Sequence, residues 1–288
     1  MFRYKVCNLN VLSEIYIPVF LALNESYDNG AIKISVKNNL PDKDFTDSDT
    51  IFSDDSIYYK SKPGLIFKIL GNSDIIIYKS KEIEEHKIWE MLIGVPFGYA
   101  LRKKGFMVMH GSSVEINGKA ICIVGSSGLG KSTLALSLVD KGFKFLTEDL
   151  VIIKDNNVNF YSSWIKIDKK LKNKSKTDLN KNVDLSFDSR GRELIKMSKE
   201  NCSKNAAPKA IYFPIVGNDK NIEQMKNHET FKFLFTNSYR IENEKESDLA
   251  MIADMIKSFD FYFFQRNINS PIDENVNFLL SHIESILD

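Results

Sequence analysis

Cysteine is scarce in this chain, which has three among 288 residues, and no two of them form a C-x-x-C pair. This scarcity argues against a disulfide framework and against a cysteine-based zinc site. The formal net charge is only +1, so no global field favours nucleic acid or a membrane surface. No apolar run approaches the length of a membrane span, and the N-terminus lacks the apolar core of a signal peptide. We therefore expect a cytoplasmic protein with no nucleic-acid partner and no membrane partner.

The first 83 residues are predicted to be rich in β-structure. Residues 31–36 alternate apolar and polar side chains, and residues 64–70 and 74–78 flank a Gly-Asn-Ser turn as the strands of a hairpin do. The acidic stretch 41–55 is interpreted as an exposed loop, because its spacing is not that of a calcium-binding loop.

From residue 84 onward, helical and strand patterns alternate, which favours an α/β fold. Residues 82–104 predict a helix that Pro96 should kink or divide. Residues 113–124 predict a hairpin that turns at Asn117-Gly118. Residues 261–264 favour a buried strand between two helical stretches.

A glycine-rich run between an apolar strand and a helix fits the phosphate-binding pattern G-x-x-x-x-G-K-S/T. In this pattern, backbone N–H groups surround phosphate oxygens and the helix N-terminus adds partial positive charge. Lys131 is expected to reach the β- and γ-phosphates, and Ser132 to ligate Mg²⁺. The alternative is a glycine-rich turn that binds nothing. The predicted loop consists of Gly125, Ser126, Ser127, Gly128, Leu129, Gly130, Lys131, Ser132 and Thr133.

Two neighbouring acids, Glu148 and Asp149, follow the apolar strand after the loop helix. One carboxylate can hold Mg²⁺, and the other can accept a proton from an attacking hydroxyl. We assign Asp149 to the metal and Glu148 to the base, although the two roles could be exchanged. The competing interpretation is a pair of surface acids in a turn.

Three further residues, His110, Arg190 and Arg192, are candidates on weaker grounds. His110 closes an apolar strand, where a structural role is the more common one. Arg190 and Arg192 could supply positive charge to a phosphoryl group or substrate, or lie in an exposed turn. The lysine-rich stretch 166–176 is interpreted mainly as a solvated segment, and secondarily as a contact for an acidic substrate.

The order of these elements resembles HPr kinase/phosphorylase, whose nucleotide core is shared with phosphoenolpyruvate carboxykinase. The resemblance covers about residues 105–153 and rests on His110-Gly111, the hairpin, the loop 125–133, Lys141-Gly142-Phe143 and the stretch 146–150. It implies a kinase that uses Mg²⁺ and ATP to phosphorylate serine. It also implies that His110 lies near the phosphates and that the acidic pair is catalytic.

The chain departs from that family at three places. Glu148 stands where the family usually has aspartate, and Thr133 stands where it has an acid. Residues 1–83 do not resemble the usual N-terminal domain of the family. In this respect the chain looks more like the HPr-kinase-related proteins of clusters that make modified peptides, such as kinases of lasso peptide precursors. That likeness implies a serine hydroxyl of a peptide or small protein as the acceptor.

We therefore expect an α/β protein with a phosphate-loop kinase core of the HPr kinase and phosphoenolpyruvate carboxykinase type over residues 84–288. Residues 1–83 form a β-rich region that is a candidate substrate-recruiting module. The expected cofactors are ATP and Mg²⁺, and association of identical chains is left open. Two alternatives are a kinase of a small metabolite, such as a sugar or amino acid, and a nucleotide-binding switch with little turnover. The catalytic candidates are His110, Lys131, Glu148 and Asp149, with Ser132 and Asp149 at the metal.

Overall fold

The computed structural model describes residues 1–23, 30–45, 49–62, 64–167, 192–241 and 245–287. Its contacts divide the chain into two compact units. The first consists of Met1–Val108 with Tyr239–Asp248, and the second of Met109–Ser238 with Leu249–Asp288. Each unit contains an eight-stranded sheet together with helices, so the expectation of a mixed α/β chain is confirmed. In the described ranges, no helix combines the length and the hydrophobicity that crossing a membrane requires.

The sheet of the first unit has the strand order β3-β1-β2-β4-β8-β7-β6-β5. The pairs β2–β4 and β4–β8 are parallel, and the other neighbours are antiparallel. The strands predicted at 31–36, 64–70 and 74–78 are confirmed as β4, β7 and β8. The bounds are Phe2–Val6 (β1), Leu9–Ser13 (β2), Leu21–Ala22 (β3), Ile32–Lys37 (β4), Thr50–Ser53 (β5), Ser56–Lys62 (β6), Leu65–Leu70 (β7) and Ile75–Lys79 (β8).

One part of the predicted exposed loop 41–55 is instead a strand. Thr50–Ser53 pairs with β6, with Phe52 opposite Ile57. The ring of Phe52 also contacts the ring of Tyr99 at a centroid distance of 5.7 Å. The two apolar residues Ile51 and Phe52 thus determine the structure of this part of the acidic stretch, because strand pairing and ring contact stabilise a β-strand here.

Two helices follow the sheet, Glu85–Leu92 (α1) and Val95–Lys103 (α2). The predicted division at Pro96 is confirmed, and Pro96 lies in the first turn of α2, where its missing N–H leaves no hydrogen bond unmade. Helix α2 packs on β6, β7 and β8, so both helices belong to the first unit. Whether residues 1–83 and 84–288 are separate domains, and whether the first 83 recruit a substrate, stays a prediction.

The sheet of the second unit has the strand order β10-β9-β12-β13-β16-β18-β17. Strand β10 also pairs with β16, strand β11 pairs with β9, and β14 and β15 form a separate two-stranded ribbon. The bounds are Met107–Ile116 (β9), Lys119–Val124 (β10), Lys144–Thr147 (β11), Leu150–Lys154 (β12), Asn157–Asn159 (β13), Trp164–Ile167 (β14), Glu193–Lys196 (β15), Asn205–Gly217 (β16), Asn221–Gln224 (β17) and Asp260–Asn267 (β18). The hairpin at Asn117-Gly118 and the strand over 261–264 are therefore confirmed.

Four helices belong to the second unit in whole or, for Lys245–Ser258, from Leu249 onward. They are Lys131–Val139 (α3), Asn227–Asn237 (α4), Lys245–Ser258 (α5) and Ile272–Leu287 (α6). Leu134 of α3, Leu279 of α6 and Phe264 of β18 are fully buried in one core with their neighbours. Strands β10, β16 and β18 run parallel, so their carboxyl ends share one edge of the sheet. In sheets of this kind, ligands bind at the carboxyl ends of the strands.

A buried ion pair in the first unit joins α2 to the residues after Tyr239. Arg102 is 2% exposed, and its Nη2 lies 2.7 Å from Oδ1 of Asp248. The same Nη2 donates to Ser247 at 3.2 Å, and Nε donates to Asp248 at 3.1 Å. A guanidinium buried this deeply depends on its partners, because an unpaired buried charge is costly.

We expect Asp248→Ala to lower the free energy of unfolding by about 3–5 kcal/mol, because it removes the Asp248 carboxylate from the buried Arg102 guanidinium. Urea denaturation followed by fluorescence measures this loss. The matched control is Asp254→Ala on the same helix, where the carboxylate side chain is 80% exposed. That control should change stability by less than about 0.5 kcal/mol. Equal losses for the two variants would contradict a stabilising ion pair.

Candidate active site

The glycine-rich loop connects the carboxyl end of β10 to the first turn of α3. Strand β10 ends at Val124 and α3 begins at Lys131, so the strand–loop–helix order expected from the sequence is present. Gly125 has φ of 147° and Gly130 has φ of 76°, backbone conformations that side chains disfavour. Gly130 also caps α3. Glycine is therefore needed at both ends of the loop.

Lys131 lies over this loop and is 6% exposed. Its Nζ donates to the carbonyl oxygen of Ser126 at 2.8 Å, so the ammonium is held inside the loop. Burial lowers the pKa of Lys131, and the charges of Glu148 and Asp149 oppose that effect. The site thus holds a cation in a place where little water compensates for it.

The acidic pair forms the turn between β11 and β12. Glu148 is 5% exposed, which contradicts the interpretation of the pair as surface acids. Its Oε1 accepts a hydrogen bond from Oγ of Ser132 at 2.8 Å, which connects the turn to the first helical turn after the loop. Asp149 has φ of 65°, an uncommon conformation for a residue with a side chain. Strain of this kind is concentrated at functional sites.

Three contacts hold Asp149 in that conformation. Its carbonyl oxygen accepts from the N–H of Gly111 at 3.2 Å and lies 2.9 Å from Nδ1 of His110. Because a carbonyl can only accept, Nδ1 carries the proton in this contact. The carboxylate of Asp149 accepts a hydrogen bond from Nζ of Lys166 on β14 in a short ion pair. The turn is thereby fixed on both its backbone and its side chain.

The two carboxyl groups differ in their affinity for a proton. Burial raises the pKa of Glu148 well above its usual range, and the neighbouring Asp149 charge adds to this rise. Burial alone would also raise the pKa of Asp149, but the charge and hydrogen bond of Lys166 outweigh it and the pKa is lowered. Asp149 is therefore the more firmly ionised of the two.

His110 and Lys166 complete the charge pattern. Burial, followed by the charge of Lys131, lowers the pKa of His110, so its ring stays neutral near neutral pH. Burial would lower the pKa of Lys166, but Asp149 and Glu148 raise it. Lys166 is thus a permanent cation paired with the acidic turn, and its interpretation as part of a solvated lysine run is wrong.

Of the two arginine candidates, only Arg192 lies in the described residues. It directly precedes β15, which pairs with the strand that carries Lys166. Its charge acts on Glu148, Asp149 and Lys131. Arg190 and the lysines from Lys169 to Lys176 lie outside the described residues.

Two basic residues near the loop were missed or misread from sequence. Lys166 stands inside the short apolar run Trp164–Ile167, and this is the signal that separates it from the polar lysines after it. Arg266 is the last residue but one of the largely apolar strand β18, and its guanidinium packs against Gly130 of the loop. The position of Arg266 at the carboxyl end of a parallel strand would have been the signal.

These features define a mixed α/β protein in which a glycine-rich strand–loop–helix element adjoins two buried carboxyl groups. A family model described as the HPr Serine kinase C-terminal domain matches residues 104–171, the part of the chain that contains the loop and the acidic turn. Together with the relatives below, this match supports an HPr kinase-like family for this part of the chain.

Curated proteins named HPr kinase/phosphorylase are similar to short parts of this chain. The protein of Prosthecochloris aestuarii is 39% identical over 54 residues, which are 19% of this chain and 16% of that protein. The protein of Clostridium beijerinckii is 33% identical over 84 residues, which are 26% of this chain and 28% of that protein. The chain therefore matches less than a third of the length of these relatives.

A solved structure of the Hpr(Ser) kinase/phosphatase from Coxiella burnetii also aligns with the chain. The alignment covers 63% of this chain and 99% of that one at 10% identity, with a TM-score of 0.36.

We expect Glu148→Gln to be more stable than the wild type, by an amount that grows as the pH rises from about 5 to about 8. The folded protein holds the Glu148 proton more tightly than the unfolded chain, so rising pH costs the wild type stability that glutamine does not lose. Thermal unfolding across this pH range measures the difference. Glu223→Gln, at an exposed position of β17, is the control and should show no such trend. A difference that is constant or shrinks with pH would contradict burial of a protonatable Glu148.

Proposed function

We propose that this chain is an ATP-dependent phosphotransferase that transfers the γ-phosphoryl group of Mg²⁺-bound ATP to a hydroxyl. The observation that carries the proposal is the convergence of Lys131, Ser132 and the acidic turn at the carboxyl end of β10. The HPr kinase-like match over the same residues supports it. We propose a serine of a peptide or small protein as the acceptor.

The residues around the loop fit the phosphates of ATP. The backbone N–H groups at the start of α3 and the ammonium group of the buried Lys131 supply positive charge. Oγ of Ser132 and Oε1 of Glu148 lie 2.8 Å apart, and both oxygens are of the kind that binds Mg²⁺. Mg²⁺ commonly takes one or two protein ligands of this kind and completes its shell with phosphates and water. When bound, Mg²⁺ neutralises charge on the β- and γ-phosphates.

The contacts favour the exchanged roles for the two acids. Glu148 is hydrogen-bonded to Ser132 and is therefore the better candidate to bind the metal, directly or through water. Asp149 is ionised and lies beside His110 and Lys166, so it is the better candidate to orient the acceptor hydroxyl and take its proton. In the transfer, the acceptor oxygen bonds to the γ-phosphorus, the bond from that phosphorus to the bridging oxygen breaks, and ADP leaves.

The neighbours of Asp149 have supporting roles. Lys166 keeps Asp149 ionised. The positive charge of Lys166 also stabilises the negative charge that develops on the transferred phosphoryl group. His110 donates from Nδ1 to the carbonyl of Asp149, so its Nε2 is left as an acceptor when the ring is neutral. We propose that His110 lies beside the phosphates and that Arg192 adds positive charge there.

The peptide acceptor rests on the likeness to HPr-kinase-related proteins of modified-peptide clusters. The family model begins at residue 104, so it leaves the sheet of the first unit unmatched. We propose that this unmatched β-rich region recruits the acceptor. A small-metabolite kinase would not need such a region.

We expect the protein to phosphorylate at least one member of a panel of serine peptides, a small phosphocarrier protein, free serine and sugars, with Mg²⁺ and ATP present. Lys131→Ala should reduce kcat/KM by at least about 100-fold, because it removes charge stabilisation of the phosphates. Mass spectrometry of the acceptor measures the transfer. Lys141→Ala, just beyond the other end of α3, is the matched control and should retain activity. Equal rates for the two variants, or nucleotide binding without any transfer, would contradict the proposal.

The exchanged roles of the acids give a separate expectation. Glu148→Gln should raise the Mg²⁺ concentration needed for half-maximal rate, because it weakens a metal ligand. Asp149→Asn should lower kcat by at least about 100-fold while leaving that concentration unchanged, because it removes the base. Initial rates at varied Mg²⁺ distinguish the two effects. The opposite pattern would support Asp149 at the metal and Glu148 as the base.

A further inference from the structure

Arg266 lies beside the glycine-rich loop although it is far from it in sequence. It stands near the carboxyl end of β18, two residues after Phe264, whose ring is buried in the core beneath α3 and α6. A Cβ placed on Gly130 would lie 2.9 Å from Nη1 of Arg266 and 3.4 Å from its Cζ. The guanidinium therefore packs directly against the backbone of the residue that caps α3.

The surroundings of Arg266 are unfavourable for a cation. It lies at the N-terminus of α3, where the helix dipole is positive, next to the residue that precedes Lys131. Burial lowers the pKa of Arg266, which reports the cost of holding its charge there. Within the described part of the chain, no carboxylate pairs with Arg266, and its buried Nε has no hydrogen-bond acceptor.

A comparison within the same chain makes this arrangement distinctive. Arg102 is fully buried, whereas Arg266 is partly buried with a fully buried Nε, and Arg102 has Asp248 and Ser247 as partners. Buried cations normally have such partners, because an uncompensated buried charge is costly. At the N-terminus of α3, the helix dipole, Lys131 and Arg266 all favour a negative charge, and a bound anion would compensate all three.

We propose that Arg266 binds the phosphate chain of the nucleotide at this loop, as a second cation beside Lys131. This inference rests on the proposed function, because it places the nucleotide at the loop. It assigns to β18 a phosphate-binding side chain that lies outside the G-x-x-x-x-G-K-S/T run. Arginine suits this position because its planar group can donate two hydrogen bonds to phosphate oxygens.

The test compares the binding of ATP, tripolyphosphate and adenosine to the wild type, Arg266→Gln and Arg266→Lys by calorimetry. Arg266→Gln should weaken binding of ATP and of tripolyphosphate about 10- to 100-fold, because it removes charged hydrogen bonds to phosphate. Arg266→Lys should lie between the two, because it keeps the charge and loses the paired donors. Adenosine binding should not change.

Thermal unfolding separates this role from a structural one. Without ligand, Arg266→Gln should unfold at the same temperature as the wild type or a higher one, because it removes a cation from a positive site. With ATP it should gain less than the wild type does. The matched control is Lys209→Gln, which removes one positive charge at the amino end of the parallel strands, where Lys209 pairs with Asp260. That control should leave ATP and tripolyphosphate affinity unchanged.

Three results would overturn the inference. They are unchanged tripolyphosphate affinity in Arg266→Gln, an equal loss of adenosine binding, and a lower unfolding temperature of that variant without ligand. Failure of the proposed function looks different. If the wild type binds ATP more tightly than Arg266→Gln but transfers no phosphoryl group, the role of Arg266 is supported and the phosphotransferase is not.

Discussion

The ion pair between Lys166 and Asp149 sets the electrostatics of the groups around the glycine-rich loop. It keeps Asp149 ionised although its surroundings are buried, and the charge of Lys166 acts on Glu148 and His110 as well. The pair also holds a turn whose backbone at Asp149 is in the left-handed region. Removing either partner would therefore change the charge, the geometry and the proton affinity of the site together.

Among the described residues around the glycine-rich loop, basic side chains outnumber acidic ones. The loop region contains the cations Lys131, Lys166, Arg192 and Arg266, and its buried carboxyl groups are Glu148 and Asp149. Glu148 holds its proton more tightly than a free glutamate does, so it contributes less negative charge than its formal count. A polyphosphate matches such an excess of positive charge, whereas a neutral sugar or amino acid alone does not.

Local patterns in the sequence predicted much of this architecture. The hairpin at Asn117-Gly118, the division of the helix at Pro96 and the strand–loop–helix around Gly125–Thr133 all depend on neighbouring residues. The contacts of Lys166 and Arg266 depend on strand pairing between distant segments, which no local pattern encodes. The packing of α2 on the first sheet is likewise long-range, and the amphipathic pattern of this helix indicates burial without saying against which surface.

The order of segments along the chain has a consequence for synthesis. The first unit consists of Met1–Val108 and the short stretch Tyr239–Asp248, which is made only after most of the second unit. The ion pair of Arg102 with Asp248 can therefore form only after the ribosome has added Asp248, 146 positions later. On the ribosome, where domains generally fold as they emerge, the first unit has to remain incomplete until Met109–Ser238 of the second unit and the stretch Tyr239–Asp248 have left the exit tunnel.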